Sequence, residues 1–165
     1  MRFLIPTLAV IATISSLACS KPAPTAEAPP SPWTHEFEVA KTRAKQENKT
    51  IFLYFTGSDW CTWCKKMEKD ILTQKEFLDY ASENLVLVEL DYPRSPENKA
   101  KQSESEREQN KVLDKKFKIE GYPTIYLVDA EGEAIPDGDD FAKEEYTKDG
   151  PAGMVAALKK FLADK

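Results

Sequence analysis

Five consecutive residues, Ile51-Phe52-Leu53-Tyr54-Phe55, form an unbroken apolar and largely aromatic run. The run is too short for a buried helix, and it lacks the polar alternation of a strand with one wet face. It therefore predicts a central strand covered on both sides, which obliges the rest of the chain to supply helices to both faces of a sheet. Gly57-Ser58-Asp59 ends the run, and a helix is expected to follow as far as Leu72, with Asp59 accepting hydrogen bonds from its free N–H groups. Cys64, Met67 and Ile71 would lie on the inner face of that helix.

The remaining elements follow from period and capping. Phe37, Ala40 and Ala44 predict a first helix behind Thr34 that runs to about Asn48. Thr73 and Glu76 have the spacing of a capping box, with Phe77, Tyr80 and Ala81 as the apolar stripe of the next helix. A second strand is expected at Leu85 to Asp91. Ser95-Pro96 reads as an N-cap followed by proline in the first turn, and it predicts one helix from Pro96 to Phe117. A mobile loop is the alternative for the charged segment 93–111. Thr124 to Val128, the turn Asp129-Ala130-Glu131-Gly132, and Glu133 to Ile135 predict a hairpin. Gly150-Pro151 opens a last helix with Val155, Leu158 and Leu162 facing inward. The expected fold class is α/β: a central mixed sheet of two parallel strands and an antiparallel hairpin, flanked by helices on both faces.

At 165 residues the chain has room for one domain, assigned to 33–165. Ahead of it, 1–18 reads as a signal peptide: Arg2 precedes an apolar run that stops at small residues and is shorter than the about 20 residues a spanning helix needs. Ser16-Leu17-Ala18-Cys19 resembles a bacterial lipoprotein signal, which makes Cys19 a candidate for lipidation. Its leucine stands two before the cysteine, where three is usual, and cleavage after Ala18 without a lipid is the alternative. Residues 19–32 form a proline-rich tether able to hold a domain on the order of 40 Å from an anchor. These features predict an exported chain in the periplasm or cell envelope, touching a membrane only through the lipid. The formal charge of −5 argues against a nucleic-acid partner. Three cysteines and one histidine are too few for a four-ligand zinc cage without carboxylates.

The chemistry concentrates in Trp60-Cys61-Thr62-Trp63-Cys64-Lys65. A thiol in the first turn of a helix sees the positive end of the macrodipole and unpaired N–H donors, and both favour the thiolate, the nucleophile of disulfide exchange. Cys61 is thus placed to attack. Cys64, one turn later, can close a small ring with Cys61 and expel a bound partner. Lys65 and Lys66 add a little screened positive charge. His35 lies far away in sequence, before the first helix, and is not expected to pair with a cysteine.

With Gly121-Tyr122-Pro123-Thr124 entering a later strand, the chain resembles the thioredoxin superfamily over residues 35–163, in particular its exported branch with a WCxWCK site. The resemblance implies a thioredoxin-like fold and a thiol–disulfide oxidoreductase with Cys61 as attacking and Cys64 as resolving cysteine. It further implies that Pro123 is cis beside the disulfide and that the Tyr122 main chain pairs with an incoming peptide. Trp60 and Trp63 would form an apolar substrate rim. No organic cofactor or metal is implied beyond a redox-active Cys61–Cys64 disulfide, and the partners would be cysteine-containing envelope proteins and a membrane electron donor. Two departures stand out: Thr62-Trp63 replaces the Gly-Pro of thioredoxins proper, and the central strand lacks their buried aspartate. A Cu(I)-delivery module using Cys61, Cys64 and Met67, and a non-catalytic binding scaffold, are the alternative readings.

Overall fold

The computed structural model describes residues 31–136 and 149–163. The segments read as signal peptide and most of the tether, Cys19 included, lie outside the described residues. The elements run β1 (Trp33–Thr34), α1 (Phe37–Glu47), β2 (Thr50–Thr56), α2 (Thr62–Met67), a π-helical turn (Glu68–Leu72), α3 (Lys75–Asn84), β3 (Leu85–Asp91), α4 (Pro96–Lys101), α5 (Glu104–Phe117), β4 (Thr124–Val128) and α6 (Gly150–Ala163).

The sheet order is β1-β3-β2-β4. β2 pairs in parallel with β3 from Thr50↔Leu85 to Thr56↔Asp91, and antiparallel with β4 from Ile51↔Val128 to Phe55↔Thr124. The continuous apolar run thus occupies the centre, and its alternation divides the core. Ile51, Leu53 and Phe55 face α1 and α5, meeting Phe37, Ala40, Ala44, Leu113 and Phe117. Phe52 and Tyr54 face the other side, where Cys64, Met67, Ile71, Phe77, Met154 and Leu158 cover them. Each fully buried side chain of this size contributes roughly 2 kcal/mol.

Several expectations change. β1 is additional: its two residues pair in parallel with Leu87 and Val88 of β3, and the Trp33 ring sits 6.1 Å from that of Phe52. The Thr73–Glu76 capping box is absent, because the Thr73 hydroxyl turns back to the carbonyls of Glu68 and Lys69 and Gln74 becomes the N-cap of α3. The single helix expected over Pro96–Phe117 is two helices. Ser103 caps α5 by accepting from the Glu106 N–H at 3.1 Å, and the preceding Gln102 has extended backbone. The hairpin's second arm is reduced to a bridge between Val128 and Ala134. Its turn is fixed by the Asp129 carboxylate, which accepts from Glu131 and Glu133, and by Gly132 at φ 88°, where a Cβ would lie 2.9 Å from the Phe37 ring. In α6, Met154 joins Val155 and Leu158 in the core and Leu162 is half-buried.

Candidate active site

β2 ends at Thr56, and the chain turns through Gly57 to Trp60 at the carboxyl edge of the parallel strands, where α/β sheets place their ligand sites. The turn is tight because the Cys61 N–H reaches back to the Gly57 carbonyl at 2.8 Å. Gly57 is obligatory there, since a Cβ would fall 2.4 Å from the Trp60 indole. Ser58 is tied to β3, its N–H and hydroxyl both donating to the Asp91 carboxylate at 2.8 and 2.6 Å.

Cys61 itself, and not Asp59, is the N-cap of α2: its Sγ accepts from the Cys64 N–H at 3.1 Å. The Asp59 carboxylate instead faces the segment after β3 and accepts from the backbone N–H groups of Arg94 and Ser95 at 3.0 and 2.8 Å and from the Asn98 side chain at 3.3 Å. These donors, led by Arg94, hold its carboxyl well below the usual range. A capping residue two positions too early in the chain is therefore free to organise a different loop.

Cys61 and Cys64 form a disulfide with their Cα atoms 5.3 Å apart. Both are buried, Cys64 completely. Trp60 is half-buried, lies edge-on to Tyr122 with centroids 5.6 Å apart, and donates its indole N–H to the Tyr92 carbonyl at 2.8 Å. Trp63 is 69% exposed. The Tyr122–Pro123 peptide is cis. Pairing of Thr124 with Phe55 brings this peptide to the end of β2, and Tyr122 packs with Trp60 against the core cluster that contains both cysteines. Burial, with Asp114 beside it, pushes the Tyr122 phenol up to about 12, so it stays protonated at neutral pH. Met67 is buried one turn below Cys64 and packs in the core. Among the described residues no cluster of three or more His, Cys, Asp or Glu side chains could hold a metal ion.

Glu68 escaped the sequence reading. It follows Cys64 by one helical turn, is half-buried, and accepts from the Thr56 hydroxyl at 3.3 Å. Burial, reinforced by the charge of Asp91, raises its carboxyl above the ordinary value. The neighbouring Tyr54 hydroxyl donates to the Cys64 carbonyl at 3.2 Å. A half-buried carboxyl thus stands one helical turn after Cys64, at the end of β2. The signal for it was the i, i+4 spacing of Cys64 and Glu68 on a helix already known to turn Cys64 inward. Neither nearby lysine is directed at the sulfurs: Lys65 donates to the Asp59 carbonyl and Lys66 pairs with Asp70.

A family profile described as thioredoxin-like domain matches residues 37–143. The disulfide bond reductase DsbH of Chlamydia pneumoniae is 37% identical over 126 residues, which cover 76% of this chain and 70% of that protein. The thioredoxin-related protein DsbJ of the same organism is 31% identical over 103 residues, 62% of this chain but 28% of the relative. The solved structure of a DsbH oxidoreductase superposes with a TM-score of 0.68 at 32% identity, over 93% of this chain and 96% of that one.

Proposed function

The chain belongs to the thioredoxin-like domain family, and on that footing we propose that it is a thiol–disulfide oxidoreductase that works as a reductant of disulfides in exported proteins. The observation that carries the reading is the Cys61–Cys64 disulfide at the start of α2, beside the cis Tyr122–Pro123 peptide. In the reduced protein the Cys61 thiolate attacks a substrate disulfide. The substrate S–S bond breaks, a Cys61–substrate bond forms, and the first substrate sulfur leaves as a thiol. Cys64 then loses its proton and attacks the Cys61 sulfur, expelling the second substrate thiol and leaving the Cys61–Cys64 disulfide. Two electrons pass to the substrate, and a membrane electron donor restores the dithiol.

The direction is supported by the charges around the pair. The helix start favours thiolate at Cys61, but Glu68, Glu89 and Asp91 cluster on the Cys64 side, where burial raises Glu68 and Glu89. Such a field disfavours a dithiolate and favours donation of its electrons. The activity of the 37% identical relative, a disulfide bond reductase, points the same way. Tyr122 and Pro123 serve as the peptide platform, with Trp60 holding Tyr122 and Trp63 offering an exposed apolar contact.

The test is a Cys64→Ser variant, which should accumulate covalent complexes with envelope proteins, while Cys61→Ser should trap far fewer. Thiol-quenched extracts run without reductant would reveal the complexes, and reductant should collapse them. Absence of complexes with either variant, in a Cys19→Ser background, would overturn the exchange reading.

The reading extends to location. Residues 1–18 are removed on export, Cys19 carries a lipid, and 19–32 tether the domain to the membrane, a proposal supported by the small residue before Cys19 and the prolines after it. Intact-mass analysis of the membrane fraction should find an acylated chain beginning at Cys19. An unmodified, soluble chain beginning there or later would sink it.

A further inference from the structure

We propose that Arg94, stacked on Trp60, selects substrates whose reacting cysteine is flanked by carboxylates. The inference rests on the exchange reading above and names the substrate class of that same site. The Arg94 guanidinium lies over the Trp60 ring with Cζ 3.5 Å from the centroid. Trp60 immediately precedes Cys61 and touches Tyr122 edge-on, and the Arg94 charge reaches Tyr122, so the cation lies beside the residues that flank Cys61 and the cis-proline peptide. Its position is built: the Asp59 carboxylate clamps the Arg94 and Ser95 N–H groups, and the indole is itself fixed by its bond to Tyr92. Arg94 is exposed, and among the described residues no carboxylate pairs with its guanidinium. The Asp59 carboxylate that holds the Arg94 backbone is occupied by its N–H donors.

A guanidinium flat on an indole keeps its N–H edge turned outward, and that planar fork matches a carboxylate with two parallel hydrogen bonds. Stacking fixes the side chain before the partner arrives, so little rotamer freedom is lost on contact. A lysine there would offer a point charge without the fork. The two other cations near the site are directed elsewhere, Lys65 to a carbonyl and Lys66 to Asp70, which leaves Arg94 as the recognition group of this rim. The occupant is accordingly an extended segment of a substrate protein, disulfide-bonded through a cysteine with Asp or Glu beside it.

The experiment uses the reduced protein and two disulfide-linked peptide dimers, alike except that the cysteine is flanked by Glu in one and Lys in the other. Wild type should oxidise faster with the Glu peptide, by about threefold at low salt, the scale of one exposed ion pair, and the ratio should shrink as salt rises. Arg94→Glu should invert the preference, and Arg94→Lys should keep only part of it. Lys45→Glu, the same charge reversal beside the start of β2 at the opposite end of the strand, should leave the ratio as in wild type. An unchanged ratio in Arg94→Glu, or an equal inversion in Lys45→Glu, would overturn the assignment while leaving the exchange activity standing. Failure of the wild type to reduce either peptide would overturn the exchange reading and this inference with it.

Discussion

At the scale of single residues, the resolving step depends on where the Cys64 proton goes. Cys64 is completely buried, and the one carboxyl one helical turn away is Glu68, whose pKa is raised by burial and by the charge of Asp91. A base whose pKa is raised towards neutrality is better matched to a thiol than an ordinary glutamate is. Glu68→Gln should therefore slow release of the substrate from the Cys61 mixed disulfide on the order of tenfold, while the first attack by Cys61 changes little. Single-turnover mixing would separate the two phases. The wild-type release rate should rise with pH through the raised Glu68 titration and Gln should flatten that limb; an unaltered limb would refute the role. Stability gives a second readout with a defined sign. A carboxyl with a raised native pKa binds more protons folded than unfolded, so it lowers stability as pH climbs from about 4.5 through the raised value. Relative to wild type, Glu68→Gln should gain stability above that window and lose the advantage below it. The Thr56 hydroxyl bond survives in Gln, because the amide oxygen accepts as the carboxylate did.

At the scale of elements, the central strand, Cys61 and Cys64 were legible because each rests on local chemistry: an apolar run with no polar alternation, and two thiols at the junction with a helix. What stayed hidden shares a cause. Ser95-Pro96 caps α4 as expected, but Asp59 and Thr73 also carry the side chains of N-caps, and sequence alone does not say which groups such an oxygen will reach. Asp59 was drawn to the loop after β3, thirty-five positions on at Arg94, and Cys61 took the cap it vacated. Thr73 spent its hydroxyl on the carbonyls of the π-helical turn. Ser103 broke what looked like one long helix, since a polar stretch lacks the apolar period that would show a change of axis. β1 was invisible for the opposite reason: two residues are too few to show any period, and only pairing with Leu87 and Val88 makes them a strand. Arg94 was likewise unreadable, because its proximity to Trp60 is created by the parallel β2–β3 pairing and the Asp59 clamp.

For the whole molecule, the redox pair and the fold are joined by one thermodynamic cycle. The free energy of forming the Cys61–Cys64 bond in the folded protein differs from that in the unfolded chain by the difference in folding stability between the oxidised and reduced forms. A reductant must give up its electrons readily, so its folded state must favour the disulfide, and the oxidised protein must be the more stable form. The cysteines are three positions apart, so the ring closes little chain; loop entropy alone amounts to about 2 kcal/mol. The acidic surroundings of Cys64 add to this by making the buried dithiol state less favourable to ionise. Denaturant titration of the two forms should therefore place the oxidised midpoint above the reduced one, by about 2 kcal/mol or more in stability. The Cys61/Cys64 potential should correspondingly fall nearer the about −270 mV of a thioredoxin than the about −120 mV of a strong oxidant. A reduced form that outlasts the oxidised one in denaturant would assign the protein to the opposite direction of electron flow. The site would keep its two cysteines and its platform, but the thiolate at Cys61 would then be stabilised more strongly than a helix start alone provides.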